Sequence, residues 1–280
     1  MPIFENYTFN LDHELWLLWL SLSVYVLSGC VALISAIVWR KLPRVVPYIM
    51  ALGFVIQSSA IAYRWIRLEH GPFVTMFEIL SSSVWSFSLI WLIVYWRIKV
   101  IRLVLVIAQP ILFLMMAWLL LAHPGEPNFP ATYHTVWLYI HVGFGKVFMA
   151  MIYMAVALAI VILLRLIPKI SQLLVSLPNN ASLHELGFRF LAVGLVFDSL
   201  MLLAGAIWAQ DAWGRYWAWD PLETWSFISW LLVAFILHVR VTWQIKPIFG
   251  AWLIITVFII AFLTFFGVPF ISMSPHKGAI

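Results

Sequence analysis

Five tryptophans occur in the short run from Trp208 to Trp225, which has the sequence WAQDAWGRYWAWDPLETW. The same run contains three carboxylates and two residues that interrupt regular backbone, namely Asp211, Asp220, Glu223, Gly214 and Pro221. The two interrupting residues predict a turn-rich loop. Clustered indoles offer a flat, apolar, π-rich surface, which suits a large planar ligand such as a porphyrin. The alternative is an aromatic belt that anchors two helices at a membrane surface, because indole rings favour the headgroup level.

Histidine is the other residue type here that suits chemistry at a porphyrin, since its imidazole binds haem iron as an axial ligand. The chain has eight histidines: His13, His70, His123, His134, His141, His184, His238 and His276. Four of them fall in predicted loops and are expected to be solvated, namely His13, His123, His134 and His184. The others have to be judged from the segments that carry them.

The composition is that of an integral membrane protein, because 65% of the 280 residues are hydrophobic and only 10% are charged. The single cysteine, Cys30, excludes an intrachain disulfide and a CxxC redox or zinc site, so any thiol chemistry requires a thiol-reducing partner. No basic region precedes the first apolar run, which is therefore predicted to be retained as a span. The net charge of +5 reflects basic linkers and does not indicate a nucleic-acid partner.

Eight apolar runs are long enough to cross about 30 Å of hydrocarbon. They are predicted at about 15–38, 45–66, 76–96, 103–121, 137–164, 187–209, 225–242 and 248–270. Basic residues concentrate after the first, third, fifth and seventh runs, which predicts that both termini and the tryptophan-rich loop lie outside. The expected fold is an all-α polytopic membrane protein, with 1–280 as a single integral membrane domain and 208–225 as an external loop. The linker 168–186 is predicted to be an inner loop.

Three histidines have functional positions in this arrangement. His238 lies within the seventh span, 13 residues after Trp225, which is about 20 Å along a helix. An ionisable side chain at that depth is a functional candidate, and a neutral histidine bonded to a neighbouring helix is the alternative. His141 and His276 are predicted on the outer side, before and after the tryptophan-rich run. Together they could bind haem iron from both axial faces, whereas singly each would be an interfacial polar residue.

A few charged residues lie at or near membrane depth. Lys146 and Asp198 fall within spans and are expected to face the interior of the bundle, because exposure to lipid is costly. Arg64, Arg67 and Arg215 are predicted at the outer rim, where guanidinium groups could contact haem propionates. Anchoring to lipid headgroups is the alternative for these arginines.

The segment WGRYWAWDPLETW, followed by SFISWLLVAFILHVR, resembles the tryptophan-rich signature of the haem-handling CcsA (also called ResC) family of cytochrome c biogenesis. The usual DPKETW is DPLETW here, with Leu222 in place of lysine. The ILHVR segment matches the family's LHxR element, which implies that His238 is a transmembrane haem ligand, and the family's two external histidines correspond to His141 and His276. The other residues predicted to bind haem b are Trp213, Arg215, Trp217, Trp219, Asp220 and Trp225.

The resemblance implies that the chain delivers or presents haem for covalent attachment to apocytochrome c, as a CcsA-like subunit of a cytochrome c synthase or haem lyase complex. The implied partners are a CcsB-like membrane protein that supplies a second transmembrane histidine, and an apocytochrome c with a CxxCH segment. The implied location is a bacterial inner membrane or a thylakoid-type membrane. A haem-bearing membrane subunit of an electron-transfer complex is the alternative function, and a transporter or scaffold without haem is a second.

Overall fold

The computed structural model describes residues 3–125 and 129–271, with side chains over 13–125 and 129–269. Its helices are α1 (Ile3–Trp39), α2 (Val45–Leu68), α3 (Met76–Arg97), α4 (Val104–Leu121), α5 (Val136–Leu164), α6 (Pro168–Ser171), α7 (Asn180–Trp213), α8 (Pro221–Thr242), α9 (Pro247–Phe262) and α10 (Val268–Ile271). A π-helical turn, Leu263–Gly267, joins α9 to α10. Short 3₁₀ turns lie at Lys99–Ile101, Ala131–Tyr133 and Gln172–Leu174, and the described ranges contain no strand.

Eight of these helices are long and apolar enough to cross a membrane, namely α1 to α5, α7, α8, and α9 with its π turn. The prediction of an all-α polytopic membrane protein is therefore confirmed. A helix is the expected form of each span, because in hydrocarbon every backbone N–H and C=O group has to bond within the protein. Most limits agree with the prediction within a few residues. The exceptions are α1, which begins at Ile3 and not near 15, and α7, which begins at Asn180 and not near 187.

The predicted inner loop 168–186 is wrong in its second half, because α7 already begins at Asn180. Asn179 caps this helix: its side-chain oxygen accepts a hydrogen bond of 2.9 Å from the backbone N–H of Ser182. His184 consequently lies on a helix and is buried, with 3% of its surface exposed. The expectation that His184 is a solvated loop residue is wrong for the same reason.

The chain divides into two compact units, Met1–Glu126 with α1 to α4 and Pro127–Ile280 with α5 to α10. In the second unit α5 is the central helix and packs against α7 and α9. Its buried positions include four alanines, Ala150, Ala155, Ala157 and Ala159. Small side chains let membrane helices approach closely, which suits a helix that has neighbours on more than one side.

A buried ion cluster joins α1, α2 and α3 in the first unit. The Arg64 guanidinium donates to Glu78 at 2.7 Å and to Glu14 at 2.8 Å, and Arg67 donates to the second oxygen of Glu14 at 2.9 Å. Arg64 also donates to the backbone carbonyls of residues 124–125. Two of the three arginines that were expected to contact haem propionates, Arg64 and Arg67, are thus engaged by carboxylates and carbonyls of their own unit.

Candidate functional site

The tryptophan-rich segment is mostly helical, so the predicted loop 208–225 is too long. Helix α7 continues to Trp213 and ends where Gly214 adopts a left-handed conformation, with φ of 73°. Helix α8 begins at Pro221, with Asp220 as its cap. Trp208 and Trp213 are therefore on α7 and Trp225 is on α8, because nothing in an indole side chain stops a helix. Only residues 214–220 form the connection.

The backbone of this connection is strained at Trp219, whose φ is 59°. A bulky side chain in the left-handed region is uncommon and persists where the surroundings hold it. The hydroxyl of Thr224 donates to the Trp219 carbonyl at 3.2 Å, which ties the strained residue to α8. Trp219 remains 66% exposed, so the strain presents an indole on the surface.

The indoles of the connection pack with aromatic residues of α8 and form the loop cluster, which consists of Trp217, Trp219, Phe227 and Trp230. The rings of Trp217 and Trp219 meet edge to face, with centroids 5.7 Å apart, and both contact Phe227. Phe227 in turn stacks on Trp230. The indole N–H of Trp230 donates to Ser199 of α7 at 2.8 Å, which fixes the cluster against the neighbouring helix.

A second group of rings, the His141 cluster, consists of His141, Tyr133, Trp208 and Trp213. The imidazole of His141 stacks on Trp208, with centroids 5.9 Å apart and planes inclined by 23°. Tyr133 lies edge-on to Trp208 at 5.2 Å and to Trp213 at 6.5 Å. His141 and Trp213, both predicted to bind haem, therefore belong to one group of rings, in which Trp208 contacts each of them.

One hydrogen bond determines the tautomer of His141. Its Nδ1 lies 2.8 Å from the backbone carbonyl oxygen of Met201. A carbonyl oxygen only accepts, so Nδ1 carries the proton and donates it to this bond. The lone pair of the neutral ring is then on Nε2, and a ligating histidine is usually oriented in this way, with its other ring nitrogen bonded to a carbonyl or carboxylate.

Tyr133 closes the cluster next to the start of α5. Its side chain is 5% exposed, and burial raises the pKa of the phenol above its ordinary value. The hydroxyl therefore stays neutral throughout the physiological pH range. Nearby, the Thr135 hydroxyl donates to Asp211 at 3.1 Å, which holds the beginning of α5 against the end of α7.

His238 lies on α8, as predicted, but on a face that the described residues of the second unit leave uncovered. It is exposed, and Thr242 of the next turn is its hydrogen-bonding neighbour, with 3.4 Å between Nε2 and Oγ1. The same face carries Ile228, Leu231 and Phe235, which are also exposed and are spaced by three or four residues. An imidazole on a face of this kind would contact lipid unless another helix covers it, and contact with lipid is costly.

The other predicted residues have different surroundings. Asp220 accepts a hydrogen bond from the backbone N–H of Glu223 at 3.0 Å, and Arg215 is exposed on the connection. His276 lies outside the described residues. Asp198 is fully buried, and neither of its carboxylate oxygens has a hydrogen-bond partner among the described residues, whereas Lys146 is half-buried.

Comparison with known proteins identifies the family. The model of a family described as cytochrome C assembly protein matches residues 73–276, a range that includes His141, His238 and His276. The chain belongs to this cytochrome c assembly family. Its relatives include the cytochrome c biogenesis protein CcsA of Prochlorococcus marinus (strain AS9601), which is 27% identical over 306 residues and covers 98% of each chain.

Two further comparisons give another relative and a solved structure that shares the fold. The cytochrome c biogenesis protein CcsA of Manihot esculenta is 26% identical over 274 residues, covering 81% of this chain and 83% of that protein. The solved structure of the cytochrome c heme lyase CcmF matches with a TM-score of 0.68 at 16% identity. The match covers 96% of this chain and 48% of the CcmF chain, so the fold is shared with about half of the larger protein.

Sequence reasoning missed several residues that build the His141 and loop clusters. Tyr133 precedes a histidine in an ordinary polar segment, and Phe227 and Trp230 fall among many aromatic residues of an apolar helix. No spacing rule singles them out, because their contacts depend on how the ends of α5, α7 and α8 meet. Trp208 belongs to the conspicuous run, but its stacking on His141 follows only from the register of α5 and α7.

Proposed function

We propose that the chain binds haem b and presents it on the outer side of the membrane for covalent attachment to apocytochrome c. The observation that carries this proposal is His141, an imidazole whose Nδ1 donates to a backbone carbonyl and whose ring stacks on Trp208. Membership of the cytochrome c assembly family supports the same role.

The residues present fit a haem. His141 offers Nε2 as an iron ligand from an orientation fixed by the Met201 carbonyl. Trp213, Trp217 and Trp219 supply flat apolar surfaces, and Arg215 is exposed on the connection, where a guanidinium can pair with a propionate. As the family resemblance implies, His276 would be the second histidine that holds the iron. Two histidine ligands would leave no site on the iron open and would protect it from oxygen chemistry.

The chain's own residues position the reactants and supply no acid–base step. Bound haem would supply its vinyl groups, and each thiol of a CxxCH segment would add across one vinyl double bond to form a thioether. The two aromatic clusters would orient the macrocycle, and because imidazole is an exchangeable ligand, His141 or His276 could give way to the histidine of the acceptor. Holding both reactants in this geometry is the main contribution to the rate. A thiol-reducing partner keeps the acceptor cysteines reduced.

His238 defines a second, inner haem position in this proposal. Its face of α8 is left uncovered by the described residues of the second unit, which is the arrangement expected if a CcsB-like partner supplies both a covering helix and a second histidine. His238 would hold haem at this inner position before His141 and His276 hold it on the outer side. An uncovered imidazole in a span is otherwise difficult to explain, because its exposure to hydrocarbon is unfavourable.

The test compares His141→Ala and His238→Ala with the matched control His134→Ala, whose exposed ring packs edge-on against Phe129. Each chain is purified with its membrane partner and assayed by pyridine haemochrome spectra and by cytochrome c maturation. Loss of an axial ligand is expected to lower haem content by about 10-fold or more in the first two variants, and the control should match wild type. Full haem occupancy with normal maturation in both variants would contradict the proposal. Haem that is tightly bound while maturation is independent of the chain would instead support the electron-transfer alternative.

A further inference from the structure

We infer that Gly205 is a positioning residue for His141, because the absence of a side chain at this position lets the imidazole lie directly on the backbone of α7. The inference deepens the proposed function and rests on it, since it concerns how the proposed haem ligand is oriented. The packing of His141 against Gly205 can also be measured without haem.

The space around Gly205 is already filled by the imidazole ring. A Cβ atom at this position would lie 2.6 Å from Nδ1 of His141, 2.8 Å from Cε1 and 3.5 Å from Cγ. Carbon atoms prefer separations of about 3.5–4.0 Å, so alanine would displace the ring by about 1 Å. Displacement of this size would break the 2.8 Å bond between His141 and Met201.

The three α7 positions that contact the imidazole lie on one face of the helix. Met201, Gly205 and Trp208 follow each other at intervals of four and three residues, which places them in one row. Met201 provides the carbonyl acceptor, Trp208 the stacking surface, and Gly205 the open space between them. Together these three residues form the surface that orients the imidazole ring.

The carbonyl oxygen of Met201 is the acceptor for the backbone of Gly205 as well as for His141. In an α-helix the carbonyl of residue 201 accepts the backbone N–H of residue 205. A carbonyl oxygen has two lone pairs, so it can also accept the Nδ1–H of His141. A side chain on residue 205 would stand beside this oxygen and obstruct the second donor. Residue 205 therefore has to be glycine, because its own N–H bonds to the same Met201 oxygen that accepts the proton of His141.

Other glycines between α5 and α7 lack this constraint. A Cβ at Gly194, also on α7, would meet side chains of α5 at 3.4 Å or more, which is ordinary contact. A Cβ at Gly145 would meet the flexible end of Met201 at 3.0 Å. Gly194→Ala is therefore a matched control that makes the same chemical change on the same helix without touching His141.

The spectroscopic test uses the complex of the chain with its membrane partner. Reduced haem with two histidine ligands binds carbon monoxide poorly, because both axial sites are filled. Gly205→Ala, like His141→Ala, should make the outer haem reactive with carbon monoxide and lower the affinity of the complex for haem by about 10-fold or more. Gly194→Ala should remain unreactive, like wild type. A Gly205→Ala complex with the carbon monoxide response and haem content of wild type overturns the inference.

A second measurement does not depend on haem. Thermal unfolding in detergent is compared for wild type, Gly205→Ala, His141→Ala and the double variant, all prepared without haem. Gly205→Ala should lower Tm in the presence of His141 and leave it unchanged in the His141→Ala background, because the clash has then been removed. An equal decrease in both backgrounds overturns the inference. If wild type contains no outer haem but this coupling is present, the proposed function fails while the contact between Gly205 and His141 is confirmed.

Discussion

Glu78 performs two tasks with one buried carboxylate. One oxygen accepts the Arg64 guanidinium at 2.7 Å, and the other accepts the backbone N–H groups of Val74 at 2.9 Å and Thr75 at 3.3 Å. The backbone N–H of Glu78 donates in turn to the Thr75 hydroxyl oxygen, which completes a capping box at the start of α3. The same side chain therefore begins a helix and neutralises a buried cation.

We predict that Glu78→Gln strongly destabilises the first unit. The substitution leaves one positive charge of the buried cluster without compensation, which costs about 3 kcal/mol. Glu185→Gln is the matched control, because Glu185 pairs with Arg189 and Arg240 on an exposed surface, where such pairs contribute about 1 kcal/mol or less. Thermal unfolding of both variants in detergent measures the difference. Equal losses of stability would show that burial of the cluster has no energetic importance.

Individual candidates such as His141 and His238 can be predicted from sequence, because an imidazole in or beside an apolar span is unusual. The residues that surround these two imidazoles cannot be predicted from sequence in the same way. The bond between His141 and Met201 joins residues 60 positions apart, and it depends on the register between α5 and α7. The role of Gly205 is equally hidden, since a glycine in an apolar run has many possible explanations.

Among the helices, α8 begins at a well-defined cap. Asp220 accepts the backbone N–H of Glu223 at 3.0 Å, and the Glu223 side chain accepts the backbone N–H of Ala218 at 2.7 Å. These two bonds fix the connection that carries Trp217 and Trp219. Asp220 was predicted as a haem-binding residue, and the structure shows that it has at least this capping role.

We predict that Asp220→Asn retains haem and that Asp220→Ala does not. Asparagine caps a helix as well as aspartate does, whereas alanine costs about 1 kcal/mol and frees the connection. Haem content and the near-ultraviolet circular dichroism of the tryptophans measure the effect. Loss of haem in both variants would indicate that the negative charge of Asp220 contacts the ligand directly.

Helix limits were predictable where an apolar run ends at a charged or turn-forming residue, as at the beginning of α2 and the end of α5. They were not predictable for α7, which extends beyond its apolar core at both ends. Asn179 starts the helix within a polar segment, and Gly214 ends it after two tryptophans. A helix that continues out of hydrocarbon loses the apolar signal from which spans are recognised.

For the whole molecule, the distribution of Lys and Arg predicts which side each connection occupies. We expect a cysteine introduced at Arg215 to react with a membrane-impermeant maleimide from outside in intact cells, in a chain whose single cysteine, Cys30, is replaced by serine. A cysteine at Ser171 is the matched control and should react only after the membrane is permeabilised. The reverse pattern would contradict the positive-inside assignment.

The uncovered face of α8 has a consequence for how the protein is produced in a cell. If a partner helix covers this face, as proposed above, a newly inserted copy exposes His238 to acyl chains until it meets that partner, which is costly and leaves the unassembled copy open to degradation. We therefore expect the steady-state amount of this chain to follow the synthesis of the subunit that shields His238. Stoichiometry between the two would then be maintained by degradation of the excess and not by matched expression alone.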